Sequence, residues 1–204
     1  MRVISGRAKG RRLSMVPGAK TRPMMDRIKE NLFNLLGPHF VPESRWLDLF
    51  AGTGQVGIEA LSRGAGEVVF VDTARAAVRT VRGNLKRTEL TEGAQVLQAD
   101  AFAYLRSSVN APFDVIFVAP PQYHGIWEEV LAVIDEQPAH YLTPRGFVIV
   151  QIDPREYEEQ ALKGLQLYDR REYGNTALCF YELIMPEEDS EEAVETEAQD
   201  DGGI

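Results

Sequence analysis

Hydrophobic and polar positions along this chain follow two rhythms in turn. From Trp46 onward, short apolar runs of strand length alternate with segments of helical spacing. They predict strand 46–50, helix 55–63, strand 67–71, helix 74–88, strand 94–98, helix 101–107, strand 113–118, helix 125–137 and strand 146–151. The runs Val68-Val69-Phe70-Val71 and Val115-Ile116-Phe117-Val118 are apolar throughout, as in strands covered on both faces. This alternation predicts an α/β fold with a doubly wound parallel sheet. After residue 151 the rhythm changes. Residues 164–173 and 176–184 read as two strands around Tyr173-Gly174-Asn175 with no helix between them, an antiparallel hairpin at the sheet edge. Before the Gly37-Pro38 break, residues 2–5 and 11–16 read as short strands joined by the Gly6 to Gly10 turn, and 24–36 as a helix. The expected organisation is an annex over 1–38, a main domain over 39–184 and a tail over 185–204.

Charge separates these parts. The net charge of −9 arises in the tail, where nine acids follow Pro186 with no base among them, so the remainder is formally neutral. Such a composition predicts disorder over the last residues. Residues 1–45 carry ten bases and three acids. A basic front on a balanced body suits a phosphate-backbone partner, and Arg7, Lys9, Arg11, Arg12, Arg22 and Arg27 are the candidate contacts. Cys179 is the only cysteine, and the three histidines are scattered without ligand spacing, so neither a disulfide nor a metal site is expected. With no apolar run of spanning length, the expectation is a cytoplasmic protein without a membrane partner.

The candidate chemistry begins at the first strand of the main domain. Leu47-Asp48-Leu49-Phe50-Ala51-Gly52-Thr53-Gly54-Gln55-Val56-Gly57 reads as strand, glycine turn and helix start, with Asp72 waiting at the end of the next strand. Glycines permit the tight turn and close approach of a ligand, and a carboxylate about twenty residues on can hold a ribose diol. The spacing Gly52-x-Gly54-x-x-Gly57 also satisfies the dinucleotide fingerprint, which leaves NAD and S-adenosylmethionine open. Too few residues remain for the separate substrate domain of a dehydrogenase. The terminal hairpin points instead to the methyltransferase variant of the sheet, with seven strands. In that arrangement Asp48, Phe50, Ala51, Gly52 and Gly54 would line the amino-acid end of the cofactor, Asp72 its ribose, and Asp100 and Ala101 its adenine. The cofactor role is favoured for both acids, although Asp72 could simply start a turn and Asp100 is a good helix N-cap.

Two linked motifs carry a more specific resemblance. Arg22-Pro23-x-x-Asp26-Arg27-Ile28-Lys29-Glu30-x-Leu32-Phe33-Asn34, followed by Leu47-Asp48-Leu49-Phe50-Ala51-Gly52-Thr53-Gly54-x-x-Gly57-Ile58-Glu59-Ala60-Leu61-Ser62-Arg63-Gly64-Ala65, is similar to the RsmD family of 16S ribosomal RNA guanine-N2 methyltransferases. The resemblance spans about residues 1–184. It implies S-adenosylmethionine as methyl donor, and 16S rRNA within an assembling 30S particle as partner; a monomer is favoured.

Methyl transfer to an exocyclic amine requires localising a lone pair that is delocalised into the base. Families with this chemistry use an acid-Pro-Pro-aromatic loop after the fourth strand. Here the loop reads Ala119-Pro120-Pro121-Gln122-Tyr123, with alanine in the acid's place, glutamine in the aromatic's, and an aromatic one residue later. Only backbone carbonyls would remain to hold the amine, with Gln122 or Asp153 as possible substitutes and Tyr123 as a possible stacking ring. Two rival readings therefore accompany the methyltransferase: an RNA-binding or ribosome-assembly protein that has lost its chemistry, and a small NAD-dependent oxidoreductase.

Overall fold

The computed structural model describes residues 1–18, 24–107 and 109–184. Arg22 and the acidic tail lie outside them. A seven-stranded sheet runs in the order β3-β2-β1-β4-β5-β7-β6. Its strands are β1 (Arg45–Leu49), β2 (Glu67–Asp72), β3 (Ala94–Gln98), β4 (Phe113–Val118), β5 (Leu142–Ile152), β6 (Leu165–Glu172) and β7 (Ala177–Leu183). The first five are parallel, and β7 enters antiparallel between β5 and β6. The helices are α1 (Asp26–Leu36), α2 (Gln55–Ser62), α3 (Arg75–Thr88), α4 (Ala101–Ser107), α5 (Ile126–Asp135) and the single turn α6 (Pro138–Tyr141).

Alternate strand residues feed two cores. Trp46, Val68, Phe70, Val115 and Phe117 pack with the annex, α1, α2 and α3 on one face, while Leu47, Leu49, Val69, Val71, Ile116 and Val118 meet α4 and α5 on the other. Doubly wound topology follows from this division. Both faces are closed, and so the strands can be apolar throughout.

Three expectations need correction. The helix expected to 137 stops at Asp135, because Pro138 drives Gln137 out of helical geometry (φ −148°, ψ 65°) and opens the separate turn α6. Strand β5 starts at 142 rather than 146, with its pairing to β4 interrupted between Phe113 and Val115. The strands expected over 2–5 and 11–16 are reduced to one antiparallel bridge, Arg2 with Arg12. Val3 N–H still donates to Arg11 O and Leu13 N–H to Met1 O, but Ile4 and Ser5 N–H donate to Glu59, and in the turn Ala8 N–H donates to the Ser62 hydroxyl and Arg7 N–H to the Ser62 carbonyl.

Every residue of α2 is buried, including Gln55, Glu59 and Ser62. These three lie one turn apart on one face, and that face grips the annex. Glu59 also pairs with Lys29 at 3.3 Å, both side chains being fully enclosed, and with Arg63 at 2.9 Å. Lys29 Nζ in turn donates to Arg2 O at 2.7 Å. The Gln55 amide, oriented to match its neighbour, donates to Met24 O (3.1 Å) and accepts from Met24 N (2.7 Å). Gly6 is required by this contact, since a Cβ there would lie 1.8 Å from Ser62 O.

Candidate active site

All five parallel strands contribute candidate residues at or just beyond their carboxyl ends, the edge where open α/β sheets bind ligands. Strand β1 delivers Asp48 and then the glycine loop. The loop turns because Phe50 (φ 59°), Gly52 (φ 54°) and Gly54 (φ 73°) all adopt left-handed backbone, which costs the non-glycine Phe50 some strain. Gly57 serves packing instead: a Cβ there would come within 2.4 Å of the Phe70 ring. A Cβ on Gly52 would meet nothing closer than Phe50 O at 3.8 Å, so this part of the loop is bare toward the site.

Asp48 is 3 % exposed and accepts from Gly57 N at 3.2 Å. Burial pushes its carboxyl up to about 8; the negative charge of Asp72 adds to this, and the Gly57 hydrogen bond opposes it. Asp72, at the end of β2, accepts from Gly52 N (2.9 Å) through one oxygen and from Ala74 N (2.8 Å) through the other. It therefore ties the glycine loop to the start of α3, and the turn-starting role open in the sequence is realised. Asp100, exposed after β3, accepts from Ala103 N at 2.9 Å as the N-cap of α4, while Ala101 is buried behind it. Each carboxylate oxygen retains a further acceptor lone pair.

Strand register places the second loop beside the first. Leu49 pairs with Val118, so the glycine loop and Ala119-Pro120-Pro121-Gln122-Tyr123 leave neighbouring strands side by side. Ala119 is half-buried, Pro120 buried, and Pro121, Gln122 and Tyr123 exposed. Tyr123 takes left-handed backbone (φ 63°) and is held at both ends. Its N–H donates to Glu156 (2.5 Å) and its hydroxyl to Asp153 Oδ2 (2.7 Å); Arg155 Nη2 donates to the hydroxyl oxygen (2.6 Å), its guanidinium carbon lying 5.8 Å from the ring centroid.

Asp153 follows β5 and is 4 % exposed. Its Oδ1 accepts from Arg155 N and Nε, both at 3.0 Å, and its Oδ2 from Arg155 Nη2 at 2.9 Å. The Arg155 side chain, with its backbone amide and the Tyr123 hydroxyl, holds this carboxyl below the usual carboxylate range. Asp153 is thus occupied in fixing Tyr123. The 3-10 turn Pro154–Glu156 closes as a capping box, with Asp153 accepting from the turn and Glu156 accepting from Asp153 N. Sequence reasoning missed Arg155 and Glu156, although Asp153-Pro154-Arg155-Glu156 directly after an apolar strand carries the capping-box signature.

Asp114 accepts from Arg45 N and the Thr143 hydroxyl, a strand-entry role. Cys179 is buried, and burial raises its thiol to about 11. Among the candidate RNA contacts, Arg7, Lys9, Arg12 and Arg27 are exposed. Arg11 is different: it pairs with Glu89 at 3.1 Å and donates to Arg87 O.

Sheet order, terminal hairpin and site together define a Rossmann-like methyltransferase. A family model described as "Conserved hypothetical protein 95" matches residues 1–182. The "Putative rRNA methyltransferase YlbH" of Bacillus subtilis is 44% identical over 184 residues, covering 89% of this chain and 98% of that one. "Ribosomal RNA small subunit methyltransferase D" of Haemophilus influenzae is 34% identical over 155 residues, 75% of this chain and 79% of that one. Among solved structures, "Putative methyltransferase yhhF from Escherichia coli" superposes with a TM-score of 0.78 at 29% identity, over 90% of this chain and 97% of the other. The chain belongs to the RsmD family of S-adenosylmethionine-dependent methyltransferases. S-adenosylmethionine, rather than NAD, is therefore the cofactor.

Proposed function

We propose that this protein transfers a methyl group to the exocyclic N2 amine of a guanine in 16S ribosomal RNA, within an assembling 30S particle. The supporting observation is the β1–β4 register, which sets the bare glycine loop against the Pro120-Pro121 loop. The cofactor fits this cradle. Gly52 presents no side chain, Asp48 offers a buried carboxyl to the ammonium of the amino-acid end, Asp72 retains acceptor capacity for the ribose hydroxyls, and Asp100 for the adenine amine. When bound, S-adenosylmethionine supplies a methyl group already activated on a sulfonium centre.

The protein's own task is position and electrostatics. The carbonyls of Ala119 and Pro120 would accept hydrogen bonds from the amine and hold its lone pair toward the methyl. Tyr123, fixed by Asp153, Arg155 and Glu156, would stack on the extruded base. Undermethylated 30S subunits, labelled cofactor and this protein should yield methylated N2-guanine in 16S rRNA. With cofactor binding confirmed, absence of transfer above background rejects the enzyme.

Ala119 favours a second reading. Its side chain accepts nothing and Asp153 is committed elsewhere, as in a ribosome-assembly protein whose chemistry has decayed. Ala119→Asp with Gln122→Phe discriminates between the two. A gain in rate on the order of 10²–10³, the scale of one transition-state hydrogen bond, supports the decayed site. An already active native protein excludes it.

A further inference from the structure

The annex is not the only basic surface. Helix α3 carries Arg75, Arg79, Arg82, Lys86 and Arg87 and no acid in its 14 residues. At 100° per residue the first four fall within an arc of about 60° and form a stripe about 16 Å long. All five side chains are exposed. Among the described residues none has a carboxylate within ion-pair distance. Arg82 donates to Val96 O and Arg87 to the Ser14 hydroxyl, which orients them without neutralising them.

A groove of about 550 Å³ borders this stripe, lined by Ser14, Met15 and Pro17 on one side and Arg79, Gly83 and Arg87 on the other. Gly83 sits in the helix interior, where glycine destabilises relative to alanine. No packing contact requires it, since a Cβ there would meet no atom within 4 Å. Its effect is to leave the groove wall bare. The groove also occupies a particular place in the fold. Helix α3 begins just after Asp72, whose carboxylate accepts from Ala74 N on the rim of the candidate cofactor site, and its far half meets the annex through Arg11 and Asn84.

We propose that the α3 stripe and its groove form a second RNA-binding surface, which seats the sugar-phosphate backbone of the rRNA substrate between the annex and the cofactor site. Uncompensated cations, absence of acids and a bare wall suit a polyanion, and the Ser14 hydroxyl, which accepts from Arg87, keeps its own proton to donate to a phosphate or sugar oxygen. This rests on the rRNA reading above.

The test uses the full-length protein and transcribed 16S rRNA, with the Arg79→Ala/Arg82→Ala/Lys86→Ala triple variant and, separately, Gly83→Leu. Alanine and leucine favour helix, so both variants should fold. Removing three cations from the phosphate track should lower the slope of log affinity against log salt by about 2–3, and affinity at moderate salt by at least about tenfold. Gly83→Leu, which fills the groove without changing charge, should weaken binding several-fold at unchanged slope. Calorimetric affinity for S-adenosylhomocysteine should match wild type in both. An unchanged slope in the triple variant overturns the proposal, even where the wild type methylates 30S subunits normally. Weakened binding to assembled 30S with unaltered binding to naked rRNA also overturns it and assigns the face to a ribosomal protein. A wild type that binds neither RNA nor particle overturns the functional reading as well.

Discussion

Asp48 combines burial with one amide bond, and its pH behaviour follows from that. With its folded carboxyl raised from about 4 to about 8, it is mostly protonated at neutral pH in the ligand-free protein. Its contribution to folding is fully present below the lower value and lost as pH rises through the upper one. Pairing with the cofactor's ammonium would favour the ionised form. Calorimetry of S-adenosylhomocysteine at pH 7 in buffers of different ionisation enthalpy should therefore show net proton release, absent in Asp48→Asn. Equal observed heats in all the buffers would refute the pairing. Asp48→Asn itself should weaken binding by about 1.5–3 kcal/mol, the usual scale for a hydrogen bond to a charged group. Tyr123 gives a prediction of another kind. Tyr123→Ala should raise the KM for 30S by an amount equivalent to about 1–3 kcal/mol of lost stacking. Tyr123→Phe keeps the ring and releases the tether to Asp153 and Arg155, so its effect on steady-state kinetics should be smaller but measurable. Equal losses in the two variants would mean that the hydroxyl, not the ring, carries the effect.

Helix α2 shows what a one-dimensional pattern can and cannot convey. Its apolar residues and the glycines before it were enough to place a helix after β1, and continuous apolar runs were enough to place β2 and β4 inside a covered sheet. Asp72 and Ala119 stood out because each closes or follows such a run, and Asp48 because it is the one acid inside β1, just before the glycine turn. Gln55, Glu59 and Ser62 are polar side chains, yet all three are buried. Their partners are backbone groups about thirty to fifty-five residues earlier, which leave no periodic trace. The same long-range bonds take Ile4 and Ser5 out of the expected annex hairpin. Tyr123 illustrates another limit, because its anchors come from beyond β5 and only the capping-box spacing hinted at them. Glu59→Gln, which deprives buried Lys29 of its counter-charge while burial already depresses that ammonium, should destabilise the protein by about 3–5 kcal/mol. Urea unfolding measures this, and a loss below about 1 kcal/mol would show that the pair adds little to annex docking.

At the scale of the whole molecule, the annex and the sheet share one core. Val3, Leu13, Ile28, Leu32 and Phe33 pack in the same cluster as Trp46, Ile58, Phe70 and Val115. A boundary at residue 38 therefore marks a change of pattern rather than a site of separation. A chain beginning at residue 39 would expose the polar face of α2 and leave Glu59 without Lys29 or its amides. It should show no cooperative thermal transition by circular dichroism; a sharp melt near that of the full-length protein would establish an autonomous sheet domain. Asn84 extends the same continuity to the cofactor. Fully buried, it accepts from Ser14 N (2.7 Å) and donates to Ser14 O (3.1 Å) and Thr53 O (2.9 Å), so one amide spans annex, α3 and glycine loop.

The grip of α2 on the annex has a consequence for divergence. Glu59 and Ser62 contact Ile4, Ser5, Arg7 and Ala8 through main-chain atoms alone, and only Gly6 is sterically required at the contact. Over residues 4–8 this clamp reads main chain rather than side chains and constrains the exposed ones little, whereas Lys29 of α1 is fixed by its pair with Glu59. The annex's exposed residues can drift or be redesigned to suit a different RNA contour, while the scaffold beneath keeps the same geometry.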